Sequence, residues 1–556
     1  MTERTQMRGQ LLTAGGRPVD AVFNVSSEDL PLTLATQSTI GEILYPRSSG
    51  EILANVNPTF WQYVPGDVRR YGAVGDGDTD CTTAFQQAIN ASSLVIFPEG
   101  NFSCSNFATL ASDTAIRGAG IGKTRITKAQ DTTQSRGVLY AQSESSTAFI
   151  ENVTISGIEF VEPNNTFSEF QHLVSFNGVR HVLVTDCRFT GFRGDGIYVG
   201  SQDGERHNER VSIVNCVFDG VNNDNRNAIS VIDCDGLVIS ENHFVNCTRS
   251  NMPGAVDIEP NAFDYQVNRN VTISNNTFKN CGGNVANIGL VLSQTTFTEQ
   301  PENFSIFGNV FDGVSRAVAV LTSTTYARPL NVSIFGNSGK VGDFLSIGTS
   351  VDGVSFSGNS LYGTGRLFLG FNDTDTARSV VVADNTLVGD GTNTRGVVIR
   401  GGEGISITGN TFDGIIDYCV LIGGTTPTAD NIVISGNTVK DSDTGVEFSS
   451  GTLTNISITD NNFSGTTSPI QGTIPAGTQI ANNVGYVTEN QGLASVSSGA
   501  TVAHGLAGTP EFVSVTSTTA TPTDIFVNAA NSTTFTVNFT GGGSGSFYWH
   551  AKTANA

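Results

Sequence analysis

Twelve near-copies of one eight-residue phrase run along the chain from Val153 to Phe463. Among them are Val153-Thr-Ile-Ser-Gly-Ile-Glu-Phe160, Val271-Thr-Ile-Ser-Asn-Asn-Thr-Phe278 and Ile456-Ser-Ile-Thr-Asp-Asn-Asn-Phe463. Their first residues stand at 153, 182, 211, 237, 271, 304, 332, 354, 380, 405, 432 and 456, so the steps run from 22 to 34 residues. A strand-like core at such intervals, with insertions of variable length, is the mark of a solenoid. One copy cannot bury its apolar side alone and must stack on the next.

Each copy alternates apolar and polar residues over four or five positions, which buries one side of a short strand. The sixth position is most often Asn, at 242, 276, 309, 337, 359, 385, 410, 437 and 461. Asn suits bent or left-handed backbone, and stacked Asn side chains can hydrogen-bond along the axis as a ladder. An apolar residue, usually Phe, then returns to the core. Leucine-rich solenoids need a Leu-rich consensus and helical return segments. Propeller blades are longer, about 40 residues, and carry Trp-Asp pairs. Neither pattern is present. The expectation is an all-β chain, a right-handed parallel β-helix of about three strands per turn.

The 51 acidic residues outnumber the 29 Lys and Arg, for a net charge of −22. Nucleic-acid binding needs clustered cations that displace counterions, so no nucleic-acid partner is expected. The acidity reads as what keeps a long exposed surface soluble. Eight cysteines show no Cys-x-x-Cys spacing, and neither a metal nor a cofactor is expected. Cys187 and Cys216 take the ladder position of successive copies and read as small, reduced turn residues. The polar opening Met1-Thr-Glu-Arg-Thr-Gln-Met-Arg-Gly-Gln10 lacks the apolar stretch of a signal peptide. Export by that route is not expected. No apolar run of about 20 residues is available for membrane insertion.

Three regions follow from the texture. Residues 1–64 break the repeat and form an N-terminal module. Residues 65–488 form the β-helix, opened by a helical pattern, Cys81-Thr-Thr-Ala-Phe-Gln-Gln-Ala-Ile89, with Asp80 as its N-cap. A solenoid must cover its first coil, and a short amphipathic helix does so. From 489 to 556, segments such as Val513-Ser-Val515 and Thr534-Phe-Thr-Val-Asn-Phe539 read as antiparallel strands of a sandwich-like module.

The segment Asp67-Val-Arg-Arg-Tyr-Gly-Ala-Val-Gly-Asp-Gly-Asp-Thr-Asp80, with Phe97-Pro-Glu-Gly100, resembles the opening of the pectate-lyase-like β-helix superfamily. Thr59-Phe-Trp-Gln-Tyr-Val-Pro-Gly66 looks like the linker after the virion-attachment module of bacteriophage tailspikes. The stretch from Thr501-Val-Ala-His-Gly505 to Ser546-Phe-Tyr-Trp-His550 is similar to their C-terminal modules. The resemblance implies a homotrimeric tailspike, attached to the phage tail or baseplate through its N-terminal module. Such a spike is part of the virion and binds, and usually cleaves, a bacterial surface polysaccharide outside the cell. The Gly-His-Gly and Arg-Ile-Lys of polygalacturonases are absent, as is a clear pectate-lyase calcium pattern, so pectin is not the expected substrate.

Other motifs carry less. Gly118-Ala-Gly-Ile-Gly-Lys-Thr124 fails as a phosphate loop, because Arg117 stands where the first Gly is required. Asp76, Asp78 and Asp80 alternate like calcium ligands but lack the later Gly and Glu, which favours a capping turn.

The richest patch is Asn222-Asn-Asp-Asn-Arg-Asn-Ala-Ile-Ser-Val-Ile-Asp-Cys234, one coil before Gly254-Ala-Val-Asp-Ile-Glu-Pro-Asn261. Aligned coils set Tyr198, Ser230 and Asp257 in one column. With Val256 and Ile258 in the core, Asp257 and Glu259 point outward from one strand, their positions roughly 6.5–7 Å apart. Glycoside hydrolysis needs one carboxyl as acid and one as base or nucleophile, about 5–9.5 Å apart, and crowding raises one pKa. Asp257 and Glu259 are the candidate catalytic pair. Arg226, Tyr198, Asp224 and Asp195 are candidate substrate-binding groups, with Asp195, Asp219, Asp224 and Asp233 as alternative carboxylate partners. Against this stands the plain reading that outward acids on a β-helix are only solvated. The expectation is a depolymerase that hydrolyses O-antigen or capsule chains. The rivals are a non-catalytic glycan-binding spike and a polysaccharide lyase using a base such as Tyr198 or His243.

Overall fold

The computed structural model describes residues 63–555 except 129–135, 144, 164–171, 202–205, 222–224, 261–262, 293–297, 323–328, 349–350, 371–376, 393, 426 and 542. Of the chain before residue 63 it describes the backbone of Arg4–Leu12 and Pro18–Ser26.

Alternating sequence makes each copy a strand with one apolar side, and the strands stack in parallel. Fifteen of them, from Leu94–Phe97 to Gln479–Ala481, form one continuous sheet. The twelve repeat openings stand in a single column of it. Val153 pairs with Val182, Val182 with Val211, and so on without a slip to Ile432 and Ile456. A one-residue slip would turn every core residue outward, so the register is fixed by burial. Each coil adds two shorter strands. After Val179–Thr185 these are Arg188–Thr190 and Ile197–Val199, each paired in parallel with its counterparts in the coils before and after. The result is a right-handed parallel β-helix, three strands to the turn.

Coil spacing dictates the packing inside. At about 4.8 Å per coil, aromatic rings in one column can only lie face to face. Phe160, Phe189, Phe218, Phe244, Phe278 and Phe311 do so, with ring centroids 4.7–5.2 Å apart. Gly339 ends the stack, since a Cβ there would lie 1.9 Å from the Phe311 carbonyl oxygen.

The Asn ladder is present and complete. From Asn242 to Asn461 each Nδ2 donates to the Oδ1 of the next ladder residue at 2.9–3.0 Å, and the run ends on Asn483. The same Oδ1 accepts the preceding ladder residue's backbone N–H, as Asn337 Oδ1 does from Asn309. The second Nδ2 hydrogen goes to a carbonyl one coil back, for Asn337 that of Ile306. One expectation is corrected: the left-handed residue is not the ladder Asn but the one before it. Glu241, Asn275, Gly308, Gly336, Gly358, Asp384, Gly409, Gly436 and Asp460 have positive φ. The chain bends there first, which turns the next side chain inward where its amide can stack.

At the start of the solenoid, helix Thr82–Ala91 buries Ala84, Phe85, Ala88 and Ile89, with Phe85 edge-on to Phe97. Asp80 accepts from Thr82 N and Oγ1 and from Ser105. Burial opposes the charge, but these hydrogen bonds from Ser105 and Thr82 outweigh it and take the Asp80 carboxyl down to about 2. Asp76 accepts the N–H groups of Asp78 and Thr79, as a capping turn requires.

Beyond the last coil two three-stranded antiparallel sheets enclose Val502, Phe535, Val537, Phe539 and Phe547. The final residues return to the solenoid, Asn555 O accepting from Ile480 N at 2.7 Å. Near the N-terminus Arg4–Leu12 and Pro18–Ser26 pair antiparallel, and residues 27–62 lie outside the described residues. All eight cysteines are buried and free. Among the described residues no helix is long and apolar enough to cross a membrane.

Candidate active site

Strands Ile197–Val199, Ile229–Val231 and Val256–Ile258 stack in register. The flanking residues of each face the core, so Tyr198, Ser230 and Asp257 form a column on the other face. One residue beyond the paired strands come Gly200, Ile232 and Glu259, tied by Ile232 N to Val199 O and Glu259 N to Val231 O. Two residues before each strand lie His172, Asp195, Asn227 and Gly254, in the corner where the second strand of the coil turns into the third.

The plain reading of solvated acids fails. Asp257 is only 2% exposed, and Glu259 is half-buried. The two carboxyl groups, two residues apart on one strand, stand close enough for each to bear on the other's proton. Asn227 Nδ2 donates to Ser230 Oγ at 2.9 Å and to Asp257 Oδ2 at 3.1 Å. Among the described residues no donor reaches Asp257 Oδ1.

The surroundings act on the two acids differently. Burial, then the charges of Glu259 and Asp195, push the Asp257 carboxyl well above the usual carboxylate range, with Arg226 opposing. Burial also raises Glu259, with Asp257 and the charge of Arg226 holding it back. The two lose their protons as a pair.

Asp195 is fully buried and lies behind this pair. Its Oδ1 is 3.0 Å from Arg226 Nε, and its backbone N–H donates to His172 Nδ1 at 3.2 Å. Burial lowers the His172 pKa, with the Asp195 carboxylate, whose Oδ2 lies 3.3 Å from Nδ1, opposing. That ring stacks on Tyr198 with centroids 4.3 Å apart and planes within 3°. Gly200 makes room for the phenol, since a Cβ there would meet Tyr198 Cε1 at 2.3 Å.

The structure therefore brings Asp257, Glu259, Arg226 and Asp195 together, with Tyr198 on the adjoining His172. Asp224 lies outside the described residues. Asp219 pairs with Arg188 instead, and Asp233 is bound by His207 Nδ1 and Val267 N, both at 2.8 Å. His243 is exposed beside Thr277 in its turn. His172 and Asn227 had escaped notice, although their offset of two residues before a third strand matches that of Asp195. Among the described residues no group of three or more His, Cys, Asp or Glu is placed to hold a metal ion.

The fold defines the class: a right-handed parallel β-helix protein. Residues 67–155 match the family model "Rhamnogalacturonase A/epimerase, pectate lyase-like", and residues 136–338 match "Right handed beta helix region". The chain is 25% identical over 430 residues to an uncharacterized protein YclG of Bacillus subtilis, a match covering 69% of this chain and 68% of that protein. It is 26% identical over 246 residues to the pre-neck appendage protein of Bacillus phage phi29, covering 39% of this chain and 26% of the appendage. It thus spans about a quarter of that phage relative's length. The solved N-terminal fragment of phi29 gene product 12 covers 76% of this chain and 71% of its own, with 17% identity and a TM-score of 0.46.

Proposed function

We propose that the protein is a phage tailspike that binds a bacterial surface polysaccharide and hydrolyses it within the chain, with Asp257 as acid and Glu259 as base or nucleophile. The observation that carries this reading is a pair of neighbouring carboxyls in unlike surroundings, Asp257 buried and raised well above the usual range, Glu259 more exposed and held back by Asp257 and Arg226. Two like groups driven to different states by their surroundings are what acid–base cleavage of a glycosidic bond requires. Asp257 gives its proton to the glycosidic oxygen as the C–O bond breaks. Glu259 takes a proton from the water that attacks the anomeric carbon, or attacks that carbon itself. Substrate entry parts the two carboxyls. Arg226, anchored by Asp195, offers donors to sugar oxygens, and Tyr198, backed by His172, offers a ring face.

The likeness to phage appendages supports a place in the virion tail. Attachment through residues 1–64 and assembly as a homotrimer belong to the same proposal. The test is incubation with surface polysaccharides from a bacterial panel, with fragments sized by chromatography and read for ultraviolet absorbance. Shortened, non-absorbing fragments that vanish in Asp257→Asn and Glu259→Gln are expected. Absorbing fragments would make the protein a lyase, and binding without cleavage would make it an adhesin.

A further inference from the structure

The column that ends at Asp257 does not begin at Tyr198. Residue by residue it runs Tyr140, Ser175, Tyr198, Ser230, Asp257, each paired with the next. Tyrosine and serine alternate along it, so the two tyrosines stand two coils apart, and Tyr140 lies about 19 Å from Asp257 at the usual coil spacing. Two residues along the same strands, Gln142 pairs with Asn177, and Gly200 and Glu259 occupy the equivalent position in later coils. Amides, hydroxyls and phenols follow one another along this face to the pair of carboxyls, Tyr140, Gln142, Ser175 and Asn177 buried and Tyr198 and Glu259 half-buried, over a length of several sugar units.

At its far end the side chain of Arg136 is held over two rings. Its guanidinium carbon lies 4.8 Å from the Phe107 centroid and 4.6 Å from that of Tyr140, and the rings meet edge to face at 5.7 Å. In the coils around it Arg125, Arg180, Arg188 and Arg226 each pair with a carboxylate. Arg136 has no carboxylate within ion-pair distance among the described residues. In a chain with 51 acids and 29 cations, that is a guanidinium oriented by rings with no carboxylate partner among the described residues. Such a planar donor fork, fixed before binding, matches a carboxylate ligand in both charge and shape.

We propose that Phe107, Arg136 and Tyr140 form a distal subsite on the substrate track, and that it takes a carboxylate-bearing sugar of the polysaccharide. This rests on the reading of Asp257 and Glu259 as the point of cleavage, and extends it to the substrate class: an acidic glycan long enough to reach from one site to the other. The contact is short-range. Beyond about 8 Å at physiological salt, the molecule's overall acidity neither helps nor hinders it.

The test uses the full chain carrying Glu259→Gln, so that binding is read without turnover. Hexuronic acid oligomers from disaccharide to octasaccharide, and the same oligomers after carboxyl reduction, are titrated by calorimetry. The expected result is that long acidic oligomers bind at least about tenfold tighter than their reduced counterparts, as one charge-assisted contact would give. Arg136→Met keeps the apolar cover over the rings but should abolish that preference, and Arg136→Lys should restore only part of it. Equal binding of the two series, a preference that survives Arg136→Met, or no binding of any acidic oligomer would each overturn the proposal. Failure of the catalytic reading shows separately, as polysaccharide cleavage that persists in Glu259→Gln, and leaves this comparison of affinities intact.

Discussion

Every coil of this solenoid has one corner between its first and second strands and another between its second and third, and the two are built on opposite rules. In the first, Asn242 to Asn461 repeat one residue, and each amide meets two acceptors while its oxygen receives two donors. In the second, His172, Asp195, Asn227 and Gly254 follow one another with no repetition, and buried polar atoms such as Asn227 Oδ1 and Asp257 Oδ1 receive no hydrogen bond. The repeating corner has nothing left over with which to hold a ligand. The irregular one carries carboxyls, a guanidinium and an imidazole at the expense of stability. Departure from the repeat, more than any single acidic residue, marks where chemistry can occur.

The contrast can be broken most visibly at the ladder. Asn337→Ala removes the acceptor for Asn309 N and Nδ2 and the donor to Ile306 O. Leaving three buried groups unpaired should lower stability by about 3–5 kcal/mol, read by urea unfolding, with activity intact below the transition. At the other corner the expectation reverses. Asp257→Asn should lower kcat by about 10²–10⁴-fold, while raising stability at pH 8. The sign follows from Asp257 holding its proton more tightly folded than unfolded, a contribution lost as pH rises through its raised pKa. Thermal melts of wild type and variant at pH 5 and pH 8 check this, the gap between them widening with pH.

The pH–rate profile sharpens the comparison further. Its acid limb should lie above the ordinary glutamate range, because Glu259 must be ionised and its pKa is raised. The alkaline limb, set by deprotonation of Asp257, should lie well above the ordinary aspartate range. Arg226→Ala removes a charge that favours both carboxylates, so the acid limb should move up by about one unit. The smallest effect belongs to the exposed ion pairs along the coils. Lys440→Ala, which frees Asp413, should change unfolding free energy by less than about 0.5 kcal/mol.

Much of this was legible in the sequence, and unevenly so. The column from Val153 to Ile456 could be read because twelve copies vote on one register, whatever the length of the insertions between them. The same alternation placed Ser230 beside Asp257 and set Tyr198 in their column. It could not say that Asp257 is buried, because that depends on neighbouring coils and the corner residues rather than on strand period. His172 was hidden for a different reason. It lies 23 residues before Asp195, and only the shared offset from Val174 and Ile197 reveals that the two are neighbours. The left-handed residue before each ladder Asn was missed because Gly, Asp, Asn and Glu all serve there, and no single letter repeats.

The central claim is that the strand beside the irregular corner holds two neighbouring carboxyls, of which the buried one, Asp257, keeps its proton well above the usual carboxylate range. Infrared difference spectroscopy of wild type against Asp257→Asn at pH 7 tests it most directly, through the stretch of a protonated carboxyl. A band present in wild type, absent from Asp257→Asn and retained in the ladder variant Asn337→Ala is the predicted result. A spectrum with no such band, or one that Asp257→Asn leaves unchanged, would contradict it.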